Sequence, residues 1–348
     1  WKQADSSARL FEAGDAGHQL LARMDKSRKI VVFRGSFVRA PRLGELEITS
    51  PEALITVDER SGEILAACDK SEEEAYESAL QSLAAVKNKV IVRELGPREV
   101  LVPGFVDAHA HAPQHAFAGN GLDLPLLDWL TTYTFPEESK FEDVTYAAQV
   151  YETAVKRHLR NGTTTCSYFA TIHLEASLEL AKICARLGQR AHVGKVSMDD
   201  NAPDYYREAT DDAKRDARRF VEAAPSSTLV TPAIIPRFAP SCSRDLLKSL
   251  GDLSLEKSLP VHTHLSENAA ECAFVQKLFP EADGYADVYV RANLLHARSY
   301  FAHCCYCSPS ETAILAKSDA GVVTCPTSNF IVGRALCDVR GWLEIGVK

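Results

Sequence analysis

The chain has 348 residues, 46% hydrophobic and 25% charged, which is enough apolar material for a sizeable soluble core and about two domains. A formal net charge of −8 with no long basic run disfavours nucleic-acid partners. No apolar stretch approaches the ~20 residues of a membrane helix, and there is no signal-peptide pattern.

Residues 1–28 carry no clear structural signal and read as a poorly ordered lead-in. The chain opens on Trp1 and stops at Val347-Lys348, so a fragment is expected. From Lys29 the texture becomes β-rich, with short runs at Ile30–Phe33, Glu45–Ile48, Ala53–Val57 and Glu63–Ala67, and Ser61-Gly62 marking a turn. A helix near Glu72–Val86 and a strand at Val90–Leu95 complete a small β-rich domain over residues 29–102, to which no chemistry is assigned.

Residues 103–348 then alternate strand, loop and helix. An apolar strand at Val100–Val106 leads into His109 and His111. Further runs lie at Thr163–Tyr168, Arg190–Val196, Thr228–Ile235, Leu259–Leu265, Tyr300–His303 and Gly321–Cys325. Helical segments fall between them, near Val144–Arg160, Leu174–Leu187, Asp204–Ala223, Arg244–Lys257, Ala269–Leu278 and Pro309–Lys317, and Asn161-Gly162 and Gly188 supply helix stops. Such alternation implies parallel strands joined by helical crossovers. Ile345-Gly346-Val347 looks like the start of an eighth strand, so the expected fold is an α/β, (β/α)8 TIM-type barrel, incomplete at its eighth strand, with the active site at the carboxyl ends of the strands. Ten cysteines, several inside apparent strands and helices, argue for free thiols in a reducing compartment, the cytosol.

Barrel geometry brings strand tips together. Residues i and i+2 of a strand share a face, so His109 and His111 project side by side. The fifth strand contributes His262-Thr263-His264-Leu265-Ser266-Glu267, the sixth His303, and the fourth Arg237-Phe238. Three neutral imidazoles and a water suit zinc, or another divalent metal such as iron. Spacing does not choose between His262 and His264. His264 lies nearer the tip and three residues before Glu267, so it is favoured as the ligand, with His262 a hydrogen-bonded core residue. Glu267, just past the tip, stands where a general acid/base belongs. Arg237 has a plain alternative as a surface ion-pair partner. His18 and His158 are expected on inert surface segments; His115, His173, His192 and His296 are expected to pack or to lie in loops. Cys304 and Cys307 form a C-x-x-C without a second pair and read as plain thiols.

The run Pro103-Gly104-Phe105-Val106-Asp107-Ala108-His109-Ala110-His111 resembles the first-strand signature of the amidohydrolase superfamily. Within it, Gln114, Phe117-Ala118-Gly119, Asp123–Leu130, Tyr133–Pro136, Asn161–Thr165, Phe169–His173, Pro236–Phe238, His264–Asn268 and Cys325–Asn329 resemble the guanine deaminase family. That resemblance implies hydrolytic deamination of guanine to xanthine and ammonia, with one zinc per subunit and a homodimer. It implies metal ligands at His109, His111 and His264, proton transfer by Glu267, and positioning of the attacking water by His303. His111, Ala112, Pro113, Gln114, Arg237, Phe238, His264 and Glu267 would hold the purine. The family's fourth protein ligand, an Asp at the tip of the eighth strand, would lie beyond Lys348. Phe330–Arg334 is less polar than the family's usual pattern. The rival expectations are a deaminase of another purine or of a triazine ring, and an inactive fragment. The His-x-Glu and Pro-Cys-x-x-Cys pattern of cytidine-deaminase-type zinc sites is absent.

Overall fold

The computed structural model of the protein describes residues 29–42, 44–85, 89–225 and 227–348. The lead-in expected over residues 1–28, with His18, lies outside them. The chain divides into two compact units, one ending at Pro103 and one running from Gly104 to Lys348.

The first unit is built on a sheet of four strands, β1 (Ile30–Arg34), β4 (Leu54–Asp58), β5 (Ile64–Cys68) and β6 (Val90–Glu94), in the order β5-β4-β1-β6. β1 runs antiparallel to β4 and parallel to β6. Two short strands, β2 (Val38–Arg39) and β3 (Glu47–Ile48), pair with each other. The helix Glu73–Ala85 lays Ala79 against Ile30, Val32, Leu54 and Cys68. Val86, expected to end this helix, is outside the described residues.

The second unit carries parallel strands in chain order. β7 (Phe105–His111), β8 (Thr163–Phe169), β9 (Arg190–Gly194) and β11 (Val230–Pro232) form one sheet; β13 (Val261–Leu265), β14 (Ser299–His303) and β15 (Gly321–Val323) form another. A bridge from Ile234 to Val261 links the two ladders. β10 (Val196–Ser197) and β12 (Ile235–Pro236) pair just beyond β9 and β11. The ring of His109 on β7 lies 5.4 Å from that of His303 on β14, although the succession β8, β9, β11 and β13 separates them along the ladders. Only a sheet curled on itself brings those side chains together, as in an α/β barrel.

Several strand bounds differ from the sequence expectation. The first strand begins at Phe105, so both histidines lie within it, while Val100 and Val102 are exposed and outside it. Pro103 has no N–H to give a ladder, and a Cβ at Gly104 would stand 2.0 Å from Thr164 Oγ1, so the chain reaches β8 only past this pair. The third and fourth runs are each split in two, and the fourth carries Pro232 and Pro236. The helix expected from Asp204 starts at Thr210, after a 3-10 turn at Asp204–Tyr206. Ile345-Gly346-Val347 does not open a strand. It closes the helix Val339–Glu344: Gly346 takes φ 80°, its N–H bonds Leu343 O, and Val347 N–H bonds Trp342 O. Lys348 O then accepts from Val322 N, beside β15.

Candidate active site

A cavity of about 580 Å³ opens at the carboxyl ends of these strands, within the usual size range of small-molecule sites. Its polar wall carries His109, His111, Gln114, Arg237, His264, Glu267 and His303. Its apolar wall comes from helical excursions, with Phe117, Leu126, Trp129 and Leu130 after β7, and Ile331 and Val332 after β15. Sequence periodicity left residues 112–143 and 326–334 unassigned, because short 3-10, α and π turns have no sustained period.

Nitrogens of His109, His111 and His264 all lie within 4.8 Å of one another. His264 Nδ1 is 2.6 Å from the carbonyl oxygen of Arg237. A carbonyl only accepts, so Nδ1 carries the hydrogen and Nε2 keeps its lone pair. That Nε2 stands 3.1 Å from His111 Nε2, and His111 Nδ1 is buried with no hydrogen-bond partner among the described residues. Burial, then the neighbouring histidines, hold all three imidazoles well below their ordinary pKa. Three neutral imidazoles aimed at one point, one with its tautomer fixed by backbone, fit a divalent cation. A second grouping places Cys325 with His109 and His303; burial pushes that thiol up to about 12, so it stands protonated.

Glu267 follows the tip of β13, after Ser266 in left-handed backbone (φ 51°) and before the helix Ala269–Leu278, whose capping box is made by Asn268 and Glu271. Its carboxylate, 5% exposed as a residue, receives Ser328 Oγ at 3.2 Å and lies 3.5 Å from His303 Nε2. His303 itself has φ 74°, in the left-handed region that few residues other than glycine occupy. Asn329 Oδ1 accepts from His303 Nδ1 at 2.8 Å, which leaves Nε2 on the side of Glu267.

Arg237 is 2% exposed and is not a surface ion-pair residue. Its guanidinium grips Glu138 through two hydrogen bonds, at 2.5 and 3.1 Å, and Tyr206 OH donates to the same carboxylate at 2.8 Å. Phe238 and Ala112 line the cavity. Pro113 does not: it is buried in the first turn of the 3-10 helix Ala112–Phe117, where its fixed φ suits the helix start. His262 is fully buried one layer below His264 and bonds His109 Nδ1 at 2.9 Å. His158, expected on the surface, is on the cavity wall, with Nδ1 2.7 Å from Tyr168 OH. Cys304 and Cys307 are free thiols, as are the other eight cysteines. Glu138, Ser328 and Asn329 support the site without a role that the sequence predicts.

The Amidohydrolase family matches residues 100–348, and the chain belongs to that family. Within it, the chain is 42% identical over 332 residues to the guanine deaminase of Dictyostelium discoideum, covering 93% of this chain and 73% of that protein. It is 39% identical to the guanine deaminase of Homo sapiens, over 91% of this chain and 69% of that protein. A solved guanine deaminase from C. acetobutylicum, with guanine in its active site, superposes with a TM-score of 0.82 at 35% identity, over 92% of this chain and 73% of that one. Metal dependence comes with the family. Among the described residues, no helix is long and apolar enough to cross a membrane.

Proposed function

We propose that this chain is a guanine deaminase, hydrolysing the exocyclic C–N bond of guanine to give xanthine and ammonia with zinc as its metal. The observation that carries the reading is Glu267, held between Ser328 and His303 at the rim of three converging imidazoles. His109, His111 and His264 would hold the metal, which when bound lowers the pKa of a water to about 7 and so supplies a nucleophile at neutral pH. Glu267 takes one proton from the attacking water and delivers it to a ring nitrogen beside C2, then carries the second, from the new C2 hydroxyl, to the departing amino group as C2=O forms and the C–N bond breaks. His303, its Nδ1 tied to Asn329, offers Nε2 to orient that water. Gln114 and Arg237 face the polar edges of the base, with Ala112 and Phe238 against its faces. The apolar wall of Leu126, Trp129 and Leu130 excludes bulk water from the reacting edge. Family resemblance further supports a homodimer, and ten free cysteines support a cytosolic setting.

The test is ammonia release from guanine by the zinc-loaded protein, with adenine and an aminotriazine as comparison substrates. Glu267→Gln should retain metal and lose at least ~10² in turnover, the low end for general acid–base catalysis. Near-normal turnover with metal retained removes Glu267 from its role; preference for the triazine or adenine removes guanine.

A further inference from the structure

Beneath the three imidazoles runs a hydrogen-bonded chain that the proposed chemistry does not use. His109 Nδ1 meets His262 Nε2 at 2.9 Å, His262 Nδ1 meets Ser167 Oγ at 2.9 Å, Ser167 Oγ meets Tyr300 OH at 2.7 Å, and Tyr300 OH meets His192 Nδ1 at 2.9 Å. The path zigzags across the barrel interior from β7 to β13, β8, β14 and β9. Ser167 and His192 are ladder partners, as are His262 and Tyr300, so two rigid pairs hold all four groups beyond His109. His262 and Tyr300 also stack, with ring centroids 4.3 Å apart.

Each link in such a chain can point only one of two ways, because a neutral imidazole that bonds through both nitrogens donates with one and accepts with the other. If His192 Nδ1 donates, every proton points toward the cavity: Tyr300 donates to Ser167, Ser167 to His262, and His262 Nε2 to His109 Nδ1. His109 then carries its hydrogen on Nε2 and has no lone pair for a metal. In the reverse sense His109 Nδ1 donates to His262, His262 to Ser167, Ser167 to Tyr300, and Tyr300 to His192. His109 Nε2 is then bare.

We propose that His262, Ser167, Tyr300 and His192 are positioning residues that lock His109 into its Nδ1–H tautomer, setting the metal affinity of the site from the far side of the barrel. This rests on the reading of His109 as a metal ligand. Partners of this kind typically carry 10–100-fold in metal affinity.

The experiment is zinc affinity by chelator competition on the full chain at fixed pH, with thermal unfolding of the metal-free proteins recorded alongside. Tyr300→Phe removes one hydroxyl two links from His262 with little change of shape, and should weaken zinc about 10-fold. His262→Leu should weaken it about 10- to 100-fold. His262→Gln should recover most of that loss, because its Oε1 can accept from His109 while its amide donates to Ser167. Unchanged zinc affinity in Tyr300→Phe, or equal weakening in His262→Leu and His262→Gln, overturns the proposal. A parent chain that binds no zinc overturns the metal-site reading itself, an outcome distinct from either of these.

Discussion

The carbonyl oxygen of Arg237 fixes the tautomer of His264, while the Arg237 guanidinium, on the cavity wall, is fixed by Glu138. One residue therefore links the tautomer of His264 to a side chain on the cavity wall, and Glu138 holds that side chain. Glu138 is fully buried, so its removal leaves an unpaired guanidinium in the interior. Glu138→Ala should cost about 3–5 kcal/mol of stability, measured by denaturant unfolding, as breaking one partner of a buried pair does. It should also raise KM for guanine. A loss below ~1 kcal/mol, the scale of an exposed pair, would mean that water reaches Arg237 and the anchor is dispensable.

Gly333 sits against the backbone of Glu267. A Cβ there would stand 2.8 Å from Glu267 O, a backbone atom with no freedom to swing aside. Gly333→Ala should push the Glu267 segment toward the cavity and lower kcat about 10- to 100-fold, since an ångström of misplacement is enough for that. Zinc content should be unchanged, because His264 lies on the strand before the displaced segment. Steady-state kinetics together with metal analysis separates this result from general unfolding.

The strand tips were legible in the sequence because β-branched runs and helix stops define them. His109, His111, His264, Glu267 and His303 meet as strand geometry implies. The supports of those residues were not legible. Ser328 and Asn329 lie just past β15 inside a segment that the resemblance marks, but a motif does not show that the hydroxyl bonds Glu267 and the amide bonds His303. Glu138 acts on a residue 99 positions away, and no local spacing encodes that contact. His262 reads as a core residue in the sequence and is one, but its bond to His109 depends on how far the sheet curls.

Glu271 offers a pH test of the helix that follows Glu267. Its carboxyl is fully buried, accepts from the N–H groups of Glu267 and Asn268 and from Tyr285 OH, and is pushed up to about 7 by burial and then by the Glu267 charge. The folded state therefore favours the protonated form. The stability that this provides is fully present below the ordinary carboxyl value of 4.5 and is lost as pH rises through about 7. The span corresponds to about 3 kcal/mol. Glu271→Gln is insensitive to this proton, so its stability relative to the parent should improve by up to ~3 kcal/mol between pH 4.5 and pH 8. Parallel pH profiles for the two proteins would show that Glu271 titrates normally.

The three converging histidines give the opposite sign. Burial and mutual repulsion lower His109, His111 and His264 in the fold, so their contribution is present above the ordinary histidine value of 6.5 and is lost as pH falls through the folded values. Metal-free protein should accordingly lose stability on acidification below about pH 6.5 from this source. Zinc at a hundred times its Kd should add about 2.7 kcal/mol near neutrality. That gain should shrink on acidification, since protons compete for the same nitrogens. Thermal unfolding with zinc or with chelator, from about pH 5 to about pH 8, reads both effects at once. In His111→Ala the zinc-dependent shift should vanish while the metal-free protein still unfolds cooperatively; a full shift in that variant would place the metal elsewhere.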